Sequence, residues 1–219
     1  RRPPRSTLFP YTTLFRSPAG HLEGLQEATE KIPLGSIDVL MTNPPFGSDI
    51  PITDPAILGR YDLAAKWQKQ EGSYIRTEGY QSAVAPEVLF IQRGIEWLRP
   101  GGRMGIVLPD GILGNPATEH IRRWIMRHCY VLASIDLPVE TFIVEANVNI
   151  LTSLVFLKKK LREVIQAEDL GRRVDYPVFM AVAERVGFDR RGAPLYKRTP
   201  DGEEILVDFV ESERIRIGG

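Results

Sequence analysis

Asn43, Pro44, Pro45 and Phe46 bring together, in four consecutive positions, the groups needed to grip a flat ring that carries an amino group. The asparagine side chain offers a carbonyl acceptor. Proline has no N–H, so the Pro-Pro step presents carbonyl acceptors without competing donors. A residue before proline is pushed toward extended geometry, which stiffens both Asn43 and Pro44. Phe46 supplies a face on which a base can stack. Asp110, in Pro109-Asp110-Gly111, is a second candidate for the wall of such a pocket, beside the commoner turn-forming role of that residue type.

These residues need a scaffold, and the pattern around them alternates strand and helix. Ser36–Thr42 is a short apolar, β-branched run that predicts a buried strand leading directly into the turn. Asp38, within it, reads as a solvent-facing or capping residue. Residues 47–82 are polar and glycine-rich and predict a long excursion with one helix around Leu63–Gln70. From Ala85 the period becomes helical, with Val88, Leu89, Ile91, Ile95 and Leu98 on one side and Pro86 in the first turn. Pro100-Gly101-Gly102 stops that helix. Met104–Leu108 predicts a strand, and Asn115-Pro116 caps the next helix, which turns Ile121, Trp124 and Ile125 inward. Trp97 and Trp124 read as core. Tyr130–Leu137 and Val148–Leu157 predict two further strands, too closely linked for a helical crossover and therefore antiparallel.

The expected architecture is α/β: a mostly parallel sheet with helices on its faces and a terminal antiparallel strand pair. Ligands of such sheets bind outside the carboxyl ends of the strands. Asn43–Phe46 and Pro109–Gly111 both fall at such ends, so two loops converge on one edge.

Composition narrows the class. The chain balances 28 basic against 28 acidic residues, and four of the arginines fall in residues 1–17, which hold no acid. The remaining mild acidity excludes a general nucleic-acid glue, so that any phosphate-binding surface is local or belongs to a partner or a missing segment. At 43% hydrophobic, the chain has material for one real core. The single cysteine, Cys129, excludes an internal disulfide framework, fits a reducing cytoplasm and reads as a small core residue. His21, His120 and His128 lack metal-ligand spacing, so no metal is expected. No apolar run reaches membrane-spanning length. Lys158-Lys159-Lys160 reads as a solvated strand end.

Thr7–Ser17 resembles the conceptual translation of a sequencing adapter, so residues 1–17 are set aside as carrying no evolved information. Residues 18–160 are expected to form the partial catalytic domain. Residues 161–219 form a charged extension, either the start of a recognition or docking region or an ordered surface segment. Asp189-Arg190-Arg191-Gly192 and Thr199-Pro200-Asp201-Gly202 predict turns within it.

The ordered set Ile37–Phe46, Leu98–Pro109 (LRPGGRMGIVLP), Ile121-Arg122-Arg123, Ile135–Pro138, Phe142 and Thr152–Leu157 resembles the N6-adenine DNA methyltransferases, most of all the modification subunits of type I restriction–modification systems. The resemblance implies a class I S-adenosylmethionine-dependent fold of Rossmann-like type, S-adenosylmethionine as cofactor and DNA as substrate. It also implies a specificity subunit and a restriction subunit as partners. It gives Asn43, Pro44, Pro45 and Phe46 the catalytic positions: the Asn43 side-chain oxygen and the Pro44 carbonyl accept from the target amino group, and Phe46 stacks the flipped base. Pro45 shapes the turn against the methionine end of the cofactor, and Asp110 joins Phe46 in substrate binding. The family's glycine-rich cofactor loop has no match in residues 18–35, where Gly20–Gly24 reads as a connecting turn, and the ribose-binding acid is not identifiable. The first strands are therefore expected to be missing, and this polypeptide alone is expected to be inactive. Methylation of a ribosomal RNA guanine or a protein glutamine remains an alternative, because those enzymes also use Asn-Pro-Pro followed by an aromatic. A truncated, non-catalytic scaffold for partner subunits is a third.

Overall fold

In chain order the elements are β1 (Ile37–Thr42), α1 (Pro55–Leu58), β2 (Ala65–Gln70), β3 (Ser73–Tyr80), α2 (Pro86–Trp97), β4 (Leu98–Pro109), α3 (Asp110–Gly114), α4 (Glu119–His128), β5 (Cys129–Leu137), α5 (Glu140–Ala146), β6 (Thr152–Lys159), α6 (Arg162–Asp169) and β7 (Phe179–Val182). They come from a computed structural model that describes residues 32–47, 50–146, 150–194, 196 and 200–202. Residues 1–17, Gly20–Gly24, His21 and Thr199 lie outside the described residues.

Five strands form one sheet in the order β1-β4-β6-β5-β7. β1 runs parallel to β4 and β7 parallel to β5, whereas β6 is antiparallel to both β4 and β5. Four strands therefore share one direction, and the expected antiparallel pair is present with the reversed strand inserted third of five. The connection from β5 to β6 carries the short helix α5 and still returns β6 in the opposite sense. β7, drawn from beyond residue 160, closes the sheet with four residues.

The helix predicted from Ala85 forms from Pro86, with proline in the first turn where no N–H is needed. It buries Val88, Leu89, Ile91 and Ile95 against Met104, Ile106 and Leu108 of β4. Ile121, Trp124 and Ile125 of α4 join the same core, as do Trp97 and Cys129. Burial pushes the Cys129 thiol up to about 12, so it is an inert core side chain. Pro100–Gly102 does not separate α2 from the strand. Ile37 pairs with Leu98 and Val39 with Arg103, so the segment bulges out of β4 after pairing has begun.

No α-helix forms over Leu63–Gln70. Asp62–Ala64 makes one 3₁₀ turn, and Ala65–Gln70 pairs antiparallel with Ser73–Tyr80 as a hairpin. Glu71 and Gly72 close it with φ of 50° and 79°, the two positive values a two-residue turn needs to match strand twist. The hairpin folds over α4. Trp67 and Tyr74 place their rings 6.1 and 6.0 Å from His120, and Lys69 and Arg123 flank Glu119 at 3.0 and 2.8 Å. These cations hold Glu119 down to about 2.

The lysine run is not a solvated strand end. Lys160 is 6% exposed, and its Nζ donates to Glu168 at 2.8 Å and to the Met126 carbonyl at 2.7 Å. Lys159 donates to the Leu98 carbonyl at 2.6 Å. Paired in this way, both fasten α6 and the start of β4 to the sheet. Asp38 pairs with Arg99 at the surface. Asp189 closes its expected turn by accepting from the amides of Arg191 and Ala193 at 2.8 and 2.9 Å.

Two outcomes are expected. Ile106→Ala removes a side chain with no exposed surface from the centre of β4; its cost is about 2–5 kcal/mol, read from urea unfolding. Burial holds His120 and His128 below 6.5. Each therefore binds a proton more readily when unfolded, so their contribution to stability is whole above about pH 6.5 and declines as pH falls below it. Urea midpoints should drop between pH 7.5 and 5.5, and His120→Phe, which keeps a ring between Trp67 and Tyr74, should flatten that slope.

Candidate active site

β1 delivers Asn43 to the carboxyl end of the sheet. Its last pair is Thr42 with Ile106, and β4 continues beyond that pair to Pro109. The turn after β1 and the loop after β4 are thus brought to one edge by a parallel register, as the sequence implied.

Within the turn, burial is graded. Asn43 is exposed, Pro44 is buried, and Pro45 and Phe46 are half-buried. Pro44 roots the turn while the amide of Asn43 stands free. Phe46 meets the ring of Phe142 from α5 in an edge-to-face contact, centroids 5.8 Å apart and planes at 89°. Such contacts favour the ring quadrupoles and fix the Phe46 plane. Sequence reasoning gave Phe142 no role, and its position beside Phe46 arises only when α5 folds back over the end of β5.

Next to the turn lies an open cleft of about 870 Å³, lined among others by Gly47, Val84, Glu87, Asp110, His120 and Leu151. Gly47, which follows Phe46 directly, lines this opening together with Asp110, whereas Asn43, Pro44, Pro45 and Phe46 are not themselves among its lining residues. A cleft of this size accommodates a nucleoside-sized ligand. Asp110 is exposed at the first position of α3, and its backbone amide donates to the Leu151 carbonyl at 3.0 Å. That bond holds the end of β4 against the approach to β6. Arg122, one of the residues carrying the resemblance, donates to the carbonyls of Ile112 and Asn115 at 2.9 and 2.8 Å and braces the same loop from α4. Arg123 instead serves the hairpin through Glu119.

The cleft has one buried acid. Glu87, at the second position of α2, accepts from the Gly47 amide at 3.3 Å. Burial raises its pKa above the usual carboxylate range, against the pull of that bond and of its own amide. His120 reaches the cleft from the other side with its Nε2 buried and unpartnered. Among the described residues no cluster of His, Cys, Asp and Glu is arranged to hold a metal ion, and no helix is long and apolar enough to cross a membrane.

The chain is similar in sequence to known proteins. The family model for N-6 DNA Methylase matches residues 20–175. The type I restriction enzyme StySPI methylase subunit of Salmonella potsdam is 29% identical over 128 residues, covering 58% of this chain and 20% of its own length. The corresponding EcoKI methylase subunit of Escherichia coli strain K12 is 28% identical over 123 residues, covering 55% and 18%. The crystal structure of a Listeria monocytogenes protein described as a class I S-adenosylmethionine-dependent methyltransferase superposes with a TM-score of 0.49 at 20% identity, covering 70% of this chain and 38% of that one. This chain spans about a fifth of the length of the curated relatives it matches. With the family model covering most of the sequence, the chain belongs to the N-6 DNA methylase family.

Proposed function

We propose that this chain carries the base-holding part of a site-specific DNA methyltransferase that moves a methyl group from S-adenosylmethionine to adenine N6 within a restriction–modification system. One observation supports this reading most: an exposed amide, two prolines and a braced aromatic ring stand in sequence at the carboxyl end of β1, beside an open cleft.

The chemistry explains why neutral groups suffice. Adenine N6 is a weak nucleophile because its lone pair is delocalised into the ring. Two acceptors aimed at its two hydrogens hold that lone pair toward an incoming methyl group. The Asn43 Oδ1 and the Pro44 carbonyl take these parts, and Phe46 supports the base by stacking once it has left the duplex. Phe142 keeps the Phe46 plane from swinging. Asp110 stands on the far rim of the opening, where it meets the base edge or sugar. The protein's contribution is orientation and electrostatic support, with no strong base required.

S-adenosylmethionine supplies, when bound, a methyl group already activated on a sulfonium. The described residues fit one end of it. Pro45 offers a carbonyl and apolar ring surface without an N–H donor, which suits a cationic sulfonium. Among the described residues no glycine-rich loop with a following ribose-binding acid accompanies them, so Pro45 is the one position assigned toward the cofactor. DNA, a specificity subunit and a restriction subunit are the partners this reading carries.

The test uses the intact gene product with methyl-labelled cofactor and three substrates: DNA, ribosomal RNA and protein. Label is expected in DNA as N6-methyladenine. Asn43→Ala should lower turnover by roughly 100-fold or more, the usual scale for losing one preorganised polar contact in a transition state. Its melting temperature should stay within a degree or two, because Asn43 is exposed. Label in RNA or protein, or near-normal turnover by Asn43→Ala, refutes the assignment.

A further inference from the structure

The turn that holds the proposed acceptors is short, and only part of it is rooted. Pro44 is buried, but Asn43 is exposed and Pro45 and Phe46 are half-buried. Its C-terminal end reaches Gly47, whose φ of 109° is a conformation that side-chain-bearing residues rarely adopt. That conformation presents the Gly47 amide to Glu87, 40 residues later in sequence. Glu87 is 5% exposed, lies in the first turn of the 12-residue helix α2, and has no ion-pair partner among the described residues. Ala85, the residue that caps this helix, lends it no side-chain hydrogen bond.

A buried carboxylate without a counter-charge is costly. Plain stability would be served as well by an apolar side chain here. The oxygen instead receives an amide from the turn. A charged acceptor makes a stronger bond than a neutral one, and the positive end of the helix dipole offsets part of the burial cost.

We propose that Glu87 is a positioning residue for the methyl-transfer site: its carboxylate latches the Gly47 amide and thereby fixes where Asn43, Pro44 and Phe46 stand relative to the cleft. This inference rests on the base-holding reading of the turn. Nothing in it requires Glu87 to touch substrate. The latch also couples the turn to α2, so the two strand-end loops and the helix between them hold one geometry.

The latch has a pH signature. A carboxyl group with a raised pKa gains its proton at higher pH than an ordinary acid, and the charged bond to Gly47 weakens as that proton arrives. The other titratable groups lining the cleft are Asp110 on α3 and His120 on α4. Among the described residues, the causes of the Glu87 shift are burial and, opposing it, the two amide bonds.

Two measurements test this. In amide NMR of this chain, the Gly47 resonance should titrate with a midpoint above the ordinary glutamate range. That inflection should vanish in Glu87→Gln, which keeps an acceptor but no titrating charge. In Glu87→Ala, hydrogen exchange at Gly47 should speed by about tenfold or more. A Gly47 amide that ignores pH across pH 4–8 and exchanges equally in all three proteins overturns the latch.

In the intact gene product, Glu87→Ala should lower kcat by roughly 10- to 100-fold, the scale of a misplaced reacting group, with little change in KM for DNA. Glu87→Gln, a neutral acceptor like the protonated acid, should show a kcat between those of Glu87→Ala and the unaltered protein and lose the acid limb. Unchanged kcat and pH profile in both variants overturns the positioning role, even if the latch itself exists. Should Glu87→Ala fail to fold, Glu87→Gln decides through its pH profile alone. An intact gene product that methylates nothing, while Gly47 still titrates with Glu87, refutes the function and spares the latch.

Discussion

The parallel pairing of β1 with β4 is the constraint on which the rest of the site depends. Thr42 lies beside Ile106. β4 is pressed onto α2 by side chains with almost no exposed surface, whereas β1 is an edge strand and not the buried one expected, with Val39 and Met41 exposed and Ile37 and Leu40 half-buried against the same core. Parallel strands need a crossover, and α2 is that crossover. Its first turn comes to the same edge as the two strand ends, because a right-handed β–α–β unit returns the chain over one face of the sheet. The Asn43–Phe46 turn, the first turn of α2 and the loop bearing Asp110 therefore meet by topology. Core packing fixes their spacing. The polar chemistry rests on this apolar frame and could not be held to ångström tolerance without it.

Around that frame the described residues bury few charges, and these, with half-buried Lys159, each have a partner. Lys160 finds Glu168 and a carbonyl, Lys159 a carbonyl, and Arg93 the ring of Tyr61 at 5.0 Å and Glu96 at 3.1 Å. Glu87 differs, since its partners are amides and one of them belongs to the turn. Surface pairs such as Arg127 with Asp169 add little, because solvent screens them. The hairpin over α4 matters more for shape. By stacking Trp67 and Tyr74 around His120, it fixes the ring of a residue that lines the cleft.

Much of this was legible in the sequence. The apolar run of β1, the helical period from Pro86 and the strand before Pro109 announce themselves locally, and their order implies the edge on which the two loops meet. The antiparallel reversal of β6 followed from the closeness of two strand-like runs. The hairpin was not legible. Leu63-Ala64-Ala65 has helical composition, and Glu71-Gly72 is a weaker turn signal than Asn-Gly or Asp-Gly. Lys158-Lys159-Lys160 misled for a different reason, because a charge run looks solvated until distant carbonyls and Glu168 come to it. The bond from Glu87 to Gly47 and the contact of Phe46 with Phe142 span 40 residues or more, and no local pattern encodes them. Of the proposed site, the turn and the edge on which it stands were readable, and the contacts that brace it were not.

The central claim is that the turn after β1 receives an amino group on a flat ring. NMR titration of the intact gene product with adenosine and, separately, with purine riboside tests it most directly, because the two ligands differ in that amino group alone. The account predicts that adenosine shifts the Asn43 side-chain amide and the Phe46 ring, and that purine riboside moves Asn43 far less. Equal shifts at Asn43 with both ligands, or shifts confined to residues remote from the turn, would contradict it.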